Sequence, residues 1–179
     1  RASVGEPPEL VYAPHDLCEM VSEACRWAEA TVGEKGLALF REDALSPVPV
    51  VCDADALLSV FGNLLANAIR YTPPDGTIGL AWRVEPSGCG VFAVTDSGIG
   101  IAKEHLPRLT ERFYRVDKAR SRAQGGTGLG LSIAKWIADA HGGCLTVTSQ
   151  LGHGSTFTIS LPVVPDHAPK DSIRASIPS

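Results

Sequence analysis

The stretch Asp53-Ala-Asp-Ala-Leu-Leu-Ser-Val-Phe-Gly-Asn63-Leu-Leu-Ala-Asn67-Ala-Ile-Arg70-Tyr71 decides how this chain is read. Leu57, Phe61, Leu64, Leu65, Ala68 and Ile69 recur at helical spacing, while Asn63, Asn67 and Arg70 form a polar stripe at i, i+4 and i+7. Thr72-Pro-Pro-Asp-Gly76 follows, and two prolines and a glycine cannot continue a helix. Asn is a poor helix former, and a buried carboxamide without a partner costs on the order of 1–3 kcal/mol. Two of them one turn apart therefore suggest a ligand that satisfies them. A carboxamide oxygen suits Mg²⁺, which keeps waters and phosphate oxygens and takes one or two protein ligands. The alternative is two surface asparagines on an amphipathic helix, and this stretch alone leaves both open.

Working outward, Thr77 to Val84 and Gly90 to Val94 read as neighbouring strands joined by the Glu85-Pro-Ser-Gly88 turn. A further helix is expected from Leu129 to Ala140, stopped by His141-Gly142-Gly143. Leu145 to Ser149 and Ser155 to Leu161 form a final hairpin around Gly152-His-Gly154. Upstream, Asp16 with Glu19 reads as a capping box that opens a helix to about Val32, carried by Leu17, Met20, Val21, Ala24, Cys25 and Ala28. Gly36-Leu-Ala-Leu-Phe40 and Val48-Pro-Val-Val-Cys52 read as short strands, the second an edge or late starter because of Pro49. Helices on a sheet of mostly hairpin-connected strands make an α+β, two-layer fold. Residues 1–15 read as an irregular lead-in, 16–162 as the domain and 163–179 as a disordered tail.

The 179 residues suit one domain, and 44% hydrophobic against 20% charged residues is ordinary for a globular chain with a real core. A net charge of −4 argues against a nucleic-acid binder, which would be strongly basic. Five cysteines lie scattered, without a C-x-x-C pair, and read as reduced thiols in a cytosolic setting. No run approaches the ~18 apolar residues of a membrane span.

Three more segments carry chemistry. Val94-Thr-Asp96-Ser-Gly98-Ile-Gly100-Ile101 ends a strand in a carboxylate, which can accept from an exocyclic amine, and its glycines let backbone approach a flat ring such as adenine. A dinucleotide fingerprint would need glycine at 103, which is Lys103, and a plain Asp-Gly turn remains the other reading. Gly125-Gly126-Thr127-Gly128-Leu129-Gly130-Leu131 leads straight into a helix, as phosphate-binding turns do, but lacks the Gly-Lys-Ser/Thr of a Walker A loop. A flexible glycine linker is the alternative. Glu111 to Arg122 holds five basic residues against two acidic, +3 locally in an acidic chain, and contains Phe113 and Tyr114. Charge of that sign beside a glycine-rich anion site points to triphosphate contact by a lid over residues 112–126. A merely solvated basic face is the competing explanation.

In this order the segments resemble the ATP-binding domain of sensor histidine kinases, relatives of gyrase B and the mismatch-repair ATPases. Asn63 to Tyr71 is similar to that family's asparagine box, Asp96 to Ile101 to its first glycine box, and Arg112 to Asp117 to its phenylalanine box. Gly126 to Leu131 is similar to the second glycine box, and Gly152-His-Gly154-Ser155-Thr-Phe157 to the closing hairpin. The resemblance implies a mixed, mostly antiparallel sheet of about five strands with three helices on one face, a Bergerat-type fold binding ATP and Mg²⁺. It implies that Asn67 binds the metal and that Asp96 reads the adenine amine beside Gly98, Gly100 and Ile101. Arg70 and Arg115 would meet the phosphates, and the backbone of Gly126, Thr127, Gly128, Leu129, Gly130 and Leu131 the polyphosphate chain. Asn63 and Tyr71 would line the pocket and Ser155 the adenine side through water.

Related hydrolytic ATPases carry a water-activating glutamate where this chain has Asn63. An amide is no general base at neutral pH, so the resemblance implies that Asn63 and Arg115 serve transfer of the γ-phosphoryl rather than hydrolysis. The acceptor would be a histidine on a separate dimerisation domain, with relay to a response regulator. None of His15, His105, His141, His153 or His167 stands in a motif like His-Glu-Leu-Arg-Thr-Pro. The chain is thus expected to be a monomeric, cytoplasmic piece that follows the acceptor domain of a membrane-anchored parent. An anti-sigma-type serine kinase and a non-transferring ATP sensor are the other readings; the former usually lacks the closing hairpin and favours a carboxylate at position 63.

Overall fold

The computed structural model describes residues 9–42, 47–112, 114 and 130–163. In chain order these form β1 (Ala13–Asp16), α1 (Leu17–Lys35), β2 (Ala38–Glu42), β3 (Pro49–Cys52), α2 (Ala54–Tyr71), β4 (Thr77–Val84) and β5 (Cys89–Asp96). A 3-10 helix over Lys103–Arg108 comes next, then α3 (Gly130–Ala140), β6 (Cys144–Gln150) and β7 (Gly154–Pro162). Five strands make one sheet in the order β2-β4-β5-β7-β6, parallel at β2–β4 and antiparallel elsewhere, and β1 and β3 make a separate antiparallel ladder. The α+β, two-layer expectation holds.

Ladder register decides which residues share a face, because partners directly opposite point the same way. Leu80, Val94, Phe157 and Val147 are aligned across the sheet, as are Trp82, Phe92, Ile159 and Leu145. These rows, with Ile78 and Leu161, join the buried stripes of α1, α2 and α3 in one core. At its centre Phe61 of α2 meets Phe92 of β5, ring centroids 4.3 Å apart and planes tilted by 38°, a favourable aromatic geometry. The opposite face carries Thr95, Thr146, Thr148, Thr156 and Thr158 in matching register.

Several boundaries differ from those expected. Ala13 to His15, read as part of an irregular lead-in for its prolines, form a strand with Asp16 that pairs with β3, with Pro14 opposite Val51. Both strands of a two-stranded ladder are edges, where proline is admitted. α1 continues three residues beyond Val32 to Lys35, and Gly36 ends it in the left-handed conformation at φ 77°. Its start is capped by Asp16, whose Oδ1 accepts from the N–H groups of Cys18 and Val48, each at 3.0 Å, while Leu17 N–H donates to the Val48 carbonyl at 3.0 Å. None of the five cysteines is in a disulfide: Cys25 and Cys52 are buried in the core, Cys18 is half-buried against it, Cys89 is half-buried and Cys144 is exposed. Burial, helped by Asp53, pushes the Cys52 thiol up to about 12, which makes it unreactive. The expected tail from residue 164 onward and most of the 112–126 segment lie outside the described residues.

Two contacts hold α2 at its ends. Lys35 Nζ donates to the carbonyls of Ile69 (2.6 Å) and Arg70 (3.1 Å), placing a cation on the last turn of α2. At the other end Asp53 caps α2 through Ala56 N–H at 2.9 Å, accepts from Val11 N–H at 2.8 Å, and donates its own N–H to His141 Nε2 at 3.0 Å. The Val11 and Ala56 N–H groups hold the Asp53 carboxyl below its usual value. Because Nε2 accepts, the proton sits on Nδ1, which lies 2.7 Å from the Ile137 carbonyl. His141 is thus a neutral, buried fastener between α3 and α2, with the Tyr12 ring 5.1 Å away, tilted by 58°, and its hydroxyl donating to the Ala140 carbonyl at 2.9 Å.

Burial lowers the His141 pKa below its ordinary value, outweighing the Ile137 bond and Asp53. Below about pH 6.5 the unfolded chain takes up a proton that the folded state resists. Stability is therefore complete above that pH and is lost as pH falls from it toward the depressed native value. Thermal unfolding between pH 7.5 and 5 should show a falling Tm. His141→Gln should cost about 1–3 kcal/mol at neutral pH and flatten that slope, which calorimetry at each pH checks.

Candidate functional site

Asp96 is the last residue of β5, and its place opposite Ile78 and Ser155 in the ladders turns it to the helix side of the sheet. It is only 7% exposed. Its Oδ1 accepts from the N–H groups of Gly98 at 2.9 Å and Ser155 at 3.3 Å, while Oδ2 has no hydrogen-bond partner among the described residues. Burial raises the Asp96 pKa, opposed by those two N–H bonds. A carboxylate so placed is costly unless a donor completes it.

The loop beyond Asp96 is stitched to three elements. Ile99 N–H donates to the Tyr71 carbonyl at the end of α2 (3.3 Å), and Gly152 N–H donates to the Ile99 carbonyl (2.8 Å). Ile101 N–H donates to Ser149 Oγ on β6 at 2.8 Å. The glycines here make room for protein backbone: a Cβ on Gly98 would lie 2.5 Å from the Tyr71 carbonyl oxygen, and one on Gly100 2.2 Å from that of Gln150. Gly154, at φ 118°, would put a Cβ 2.0 Å from the Asp96 carbonyl oxygen, so this turn has both a steric and a conformational need for glycine. These close contacts require glycine at 98 and 100 independently of the flat ring expected there from the sequence.

On α2, Asn63, Asn67, Arg70 and Tyr71 are half-buried along one side of the helix. Arg70 donates to Asn67 Oδ1 at 3.2 Å and its guanidinium lies 6.0 Å from the Tyr71 ring centroid. The Asn63 carboxamide has no hydrogen-bond partner among the described residues. The first residue of α3 comes to it, since a Cβ on Gly130 would lie 3.8 Å from Asn63 Cγ. Leu131 and Ile101 pack their side chains against the core, so what they can offer a ligand is backbone.

The structure thus joins Asn67, Arg70 and Tyr71, brings Asn63 to Gly130, and gathers Asp96, Gly98, Gly100, Ile101 and Ser155. The Tyr71 carbonyl links α2 to the Asp96 loop. Arg115, Gly126, Thr127, Gly128 and Leu129 lie outside the described residues. Ser149 escaped the sequence reading: it lies inside a strand, and only the return of the loop to β6 gives its hydroxyl a task. Tyr114 OH bonds His105 Nδ1, and Arg108 lies over the Tyr114 ring at 4.4 Å from its centroid. That docks the start of the basic segment on the domain.

The comparisons with known proteins agree with this geometry. SenX3 of Mycolicibacterium smegmatis, a sensor-like histidine kinase, is 44% identical over 151 residues, covering 84% of this chain and 39% of SenX3. The phosphate regulon sensor protein PhoR of Pseudomonas aeruginosa is 47% identical over 116 residues, covering 65% of this chain and 26% of PhoR. The chain therefore spans about two fifths or less of the length of these relatives. Among solved structures, full-length ShkA in complex with AMPPNP superposes with a TM-score of 0.78 at 27% identity, over 92% of this chain and 34% of ShkA. The mycobacterial sensor histidine kinase MprB gives 0.72 at 28% identity, over 87% of this chain and 99% of that one. The family model described as histidine kinase-, DNA gyrase B- and HSP90-like ATPase matches residues 52–165, and with more than half of its length so matched the chain belongs to that family.

Proposed function

We propose that this domain binds Mg–ATP and presents its γ-phosphoryl group to a histidine on a separate acceptor and dimerisation domain, for relay to a response regulator. The buried Asp96 carboxylate carries the reading: one oxygen is held by two N–H groups and the other awaits a donor, the arrangement that accepts an exocyclic amine. The kinase relatives and the AMPPNP complex of a similar fold support it.

The residues present fit the nucleotide and its cation. The donor proposed for the cation is the Asn67 carboxamide oxygen, a neutral hard ligand, with the phosphates and water completing the shell. The cation, when bound, neutralises charge on the phosphate oxygens. Arg70 now donates to that same oxygen at 3.2 Å and on binding turns its guanidinium to the phosphates instead. Arg115 is proposed as the second phosphate contact, and the backbone from Gly126 to Leu131 as the polyphosphate cradle. Asn63 beside Gly130 can donate or accept a hydrogen bond but cannot take a proton from water, which suits a site that holds ATP for transfer. Among the described residues no helix is long and apolar enough to cross a membrane. The proposed parent carries any membrane anchor elsewhere, and the piece itself is proposed to be a cytoplasmic monomer.

Asp96→Ala should weaken ATP by about 1–3 kcal/mol, one hydrogen bond to a charged acceptor, while sparing inorganic triphosphate, as calorimetric titration of both would show. Asn67→Ala should lower affinity for ATP only when Mg²⁺ is present; unchanged metal dependence would remove Asn67 as the ligand. The transfer itself is tested by adding the separately purified acceptor domain and radiolabelled ATP. Label on its histidine is the expected result, and ATP binding without label would leave a nucleotide sensor.

A further inference from the structure

Ser149 Oγ stands where three bonds meet. It accepts from Ile101 N–H at 2.8 Å, donates to the Gly154 carbonyl at 3.0 Å and lies 2.8 Å from Ser155 Oγ. A carbonyl cannot donate and a serine has one proton. With that proton committed to Gly154, the Ser149–Ser155 bond must run from Ser155 O–H to Ser149 Oγ. Ser155 is then left with lone pairs only, and its own N–H is spent on Asp96 Oδ1.

We propose that Ser149 is a positioning and specificity-determining residue: it ties the Asp96–Ile101 loop to β6 and consumes the Ser155 hydroxyl proton, so that the base-reading end of the pocket offers acceptors alone. This rests on the reading of Asp96 as the base contact. An acceptor-only surface made by the free Asp96 oxygen and the Ser155 hydroxyl matches a 6-amino purine, whose exocyclic nitrogen donates. A 6-oxo purine would set its carbonyl oxygen against those acceptors. Without the Ser149 hydroxyl, Ser155 regains a donor that can rotate toward such a carbonyl, and Ile101 N–H loses its anchor. Ser149 touches no nucleotide in this scheme and acts through Ser155 and Ile101.

The test uses the whole chain and its Ser149→Ala and Ser149→Thr variants, titrated with Mg–ATP, Mg–GTP and Mg–tripolyphosphate, together with amide hydrogen exchange at Ile101 without ligand. Ser149→Ala should weaken ATP and narrow the ATP-over-GTP preference, each by roughly tenfold, the scale of one hydrogen bond. Tripolyphosphate affinity should stay within about twofold, and the Ile101 amide should exchange at least about tenfold faster. Ser149→Thr, which restores the hydroxyl, should recover the preference and the protection. An unchanged ATP-to-GTP ratio with Ile101 still protected would overturn the proposal, as would equal loss of ATP and tripolyphosphate, the mark of a merely structural role. If the unmodified chain holds tripolyphosphate as tightly as ATP, the base-reading role of Asp96 fails first and takes the specificity claim with it.

Discussion

Everything in this domain hangs on how α2 is rotated about its own axis. Phe61 seated against Phe92, with Leu57, Leu64, Leu65 and Ala68 buried around them, leaves one orientation that removes the apolar stripe from water. A turn of even one residue, about 100° on a helix, would expose several large side chains, each worth about 1.5–3 kcal/mol when buried. With that orientation set, Asn63, Asn67 and Arg70 have to line one flank of the helix. The polar stripe is placed by the apolar one. Lys35 on the last carbonyls and Asp53 at the first turn then fix the helix along its length.

The second constraint is a buried carboxylate left incomplete. Asp96 lies at the junction of β5, α2 and the β6–β7 hairpin, where burial raises its pKa and only two N–H groups oppose the effect. For stability alone, an apolar residue would serve better at such a place. The surrounding chain is instead built closely around it, with Gly98 and Gly154 admitting the Tyr71 and Asp96 carbonyls at distances that no Cβ would permit. Close-packed backbone around a half-used carboxylate suits the base contact proposed for Asp96, because the order is already present before a ligand arrives.

Backbone contacts join α2 to the loop after Asp96 and to the start of α3. The Tyr71 carbonyl closes α2 onto the loop after Asp96, and Gly130 brings the start of α3 to Asn63, so the proposed metal, phosphate and base contacts share one framework. At the far end of α3, His141, Asp53 and Tyr12 tie together the helix, the α2 cap and the strand that enters the domain. The residues that lead into β1 are therefore fastened to the helix whose other end lies against Asn63. The amide at position 63 is the local chemistry on which the proposed transfer, rather than hydrolysis, rests.

How much of this was legible in the sequence depended on the range of the interaction. The α2 stripe, β4 with the bounds Thr77–Val84, the closing hairpin and the carboxylate at the end of β5 are written in periods of 3.6 and 2 and in turn residues. The order of the boxes was enough to point to the family. Ala13 to His15 were misread as irregular because their partner β3 lies more than thirty residues away, and proline is compatible with a strand only when that strand is an edge. In the sequence the Ser149 and His141 side chains had no visible task, since each also bonds a distant residue, Ile101 and Asp53, 48 and 88 residues away. By itself the sequence determined the elements, their order and the chemical types available, because those depend on neighbours along the chain. Which hydroxyl meets which amide, why each glycine is bare and which carboxylate oxygen stays free were decided only by the tertiary structure, because hydrogen bonds have a reach of about 3 Å and only folding brings such residues that close.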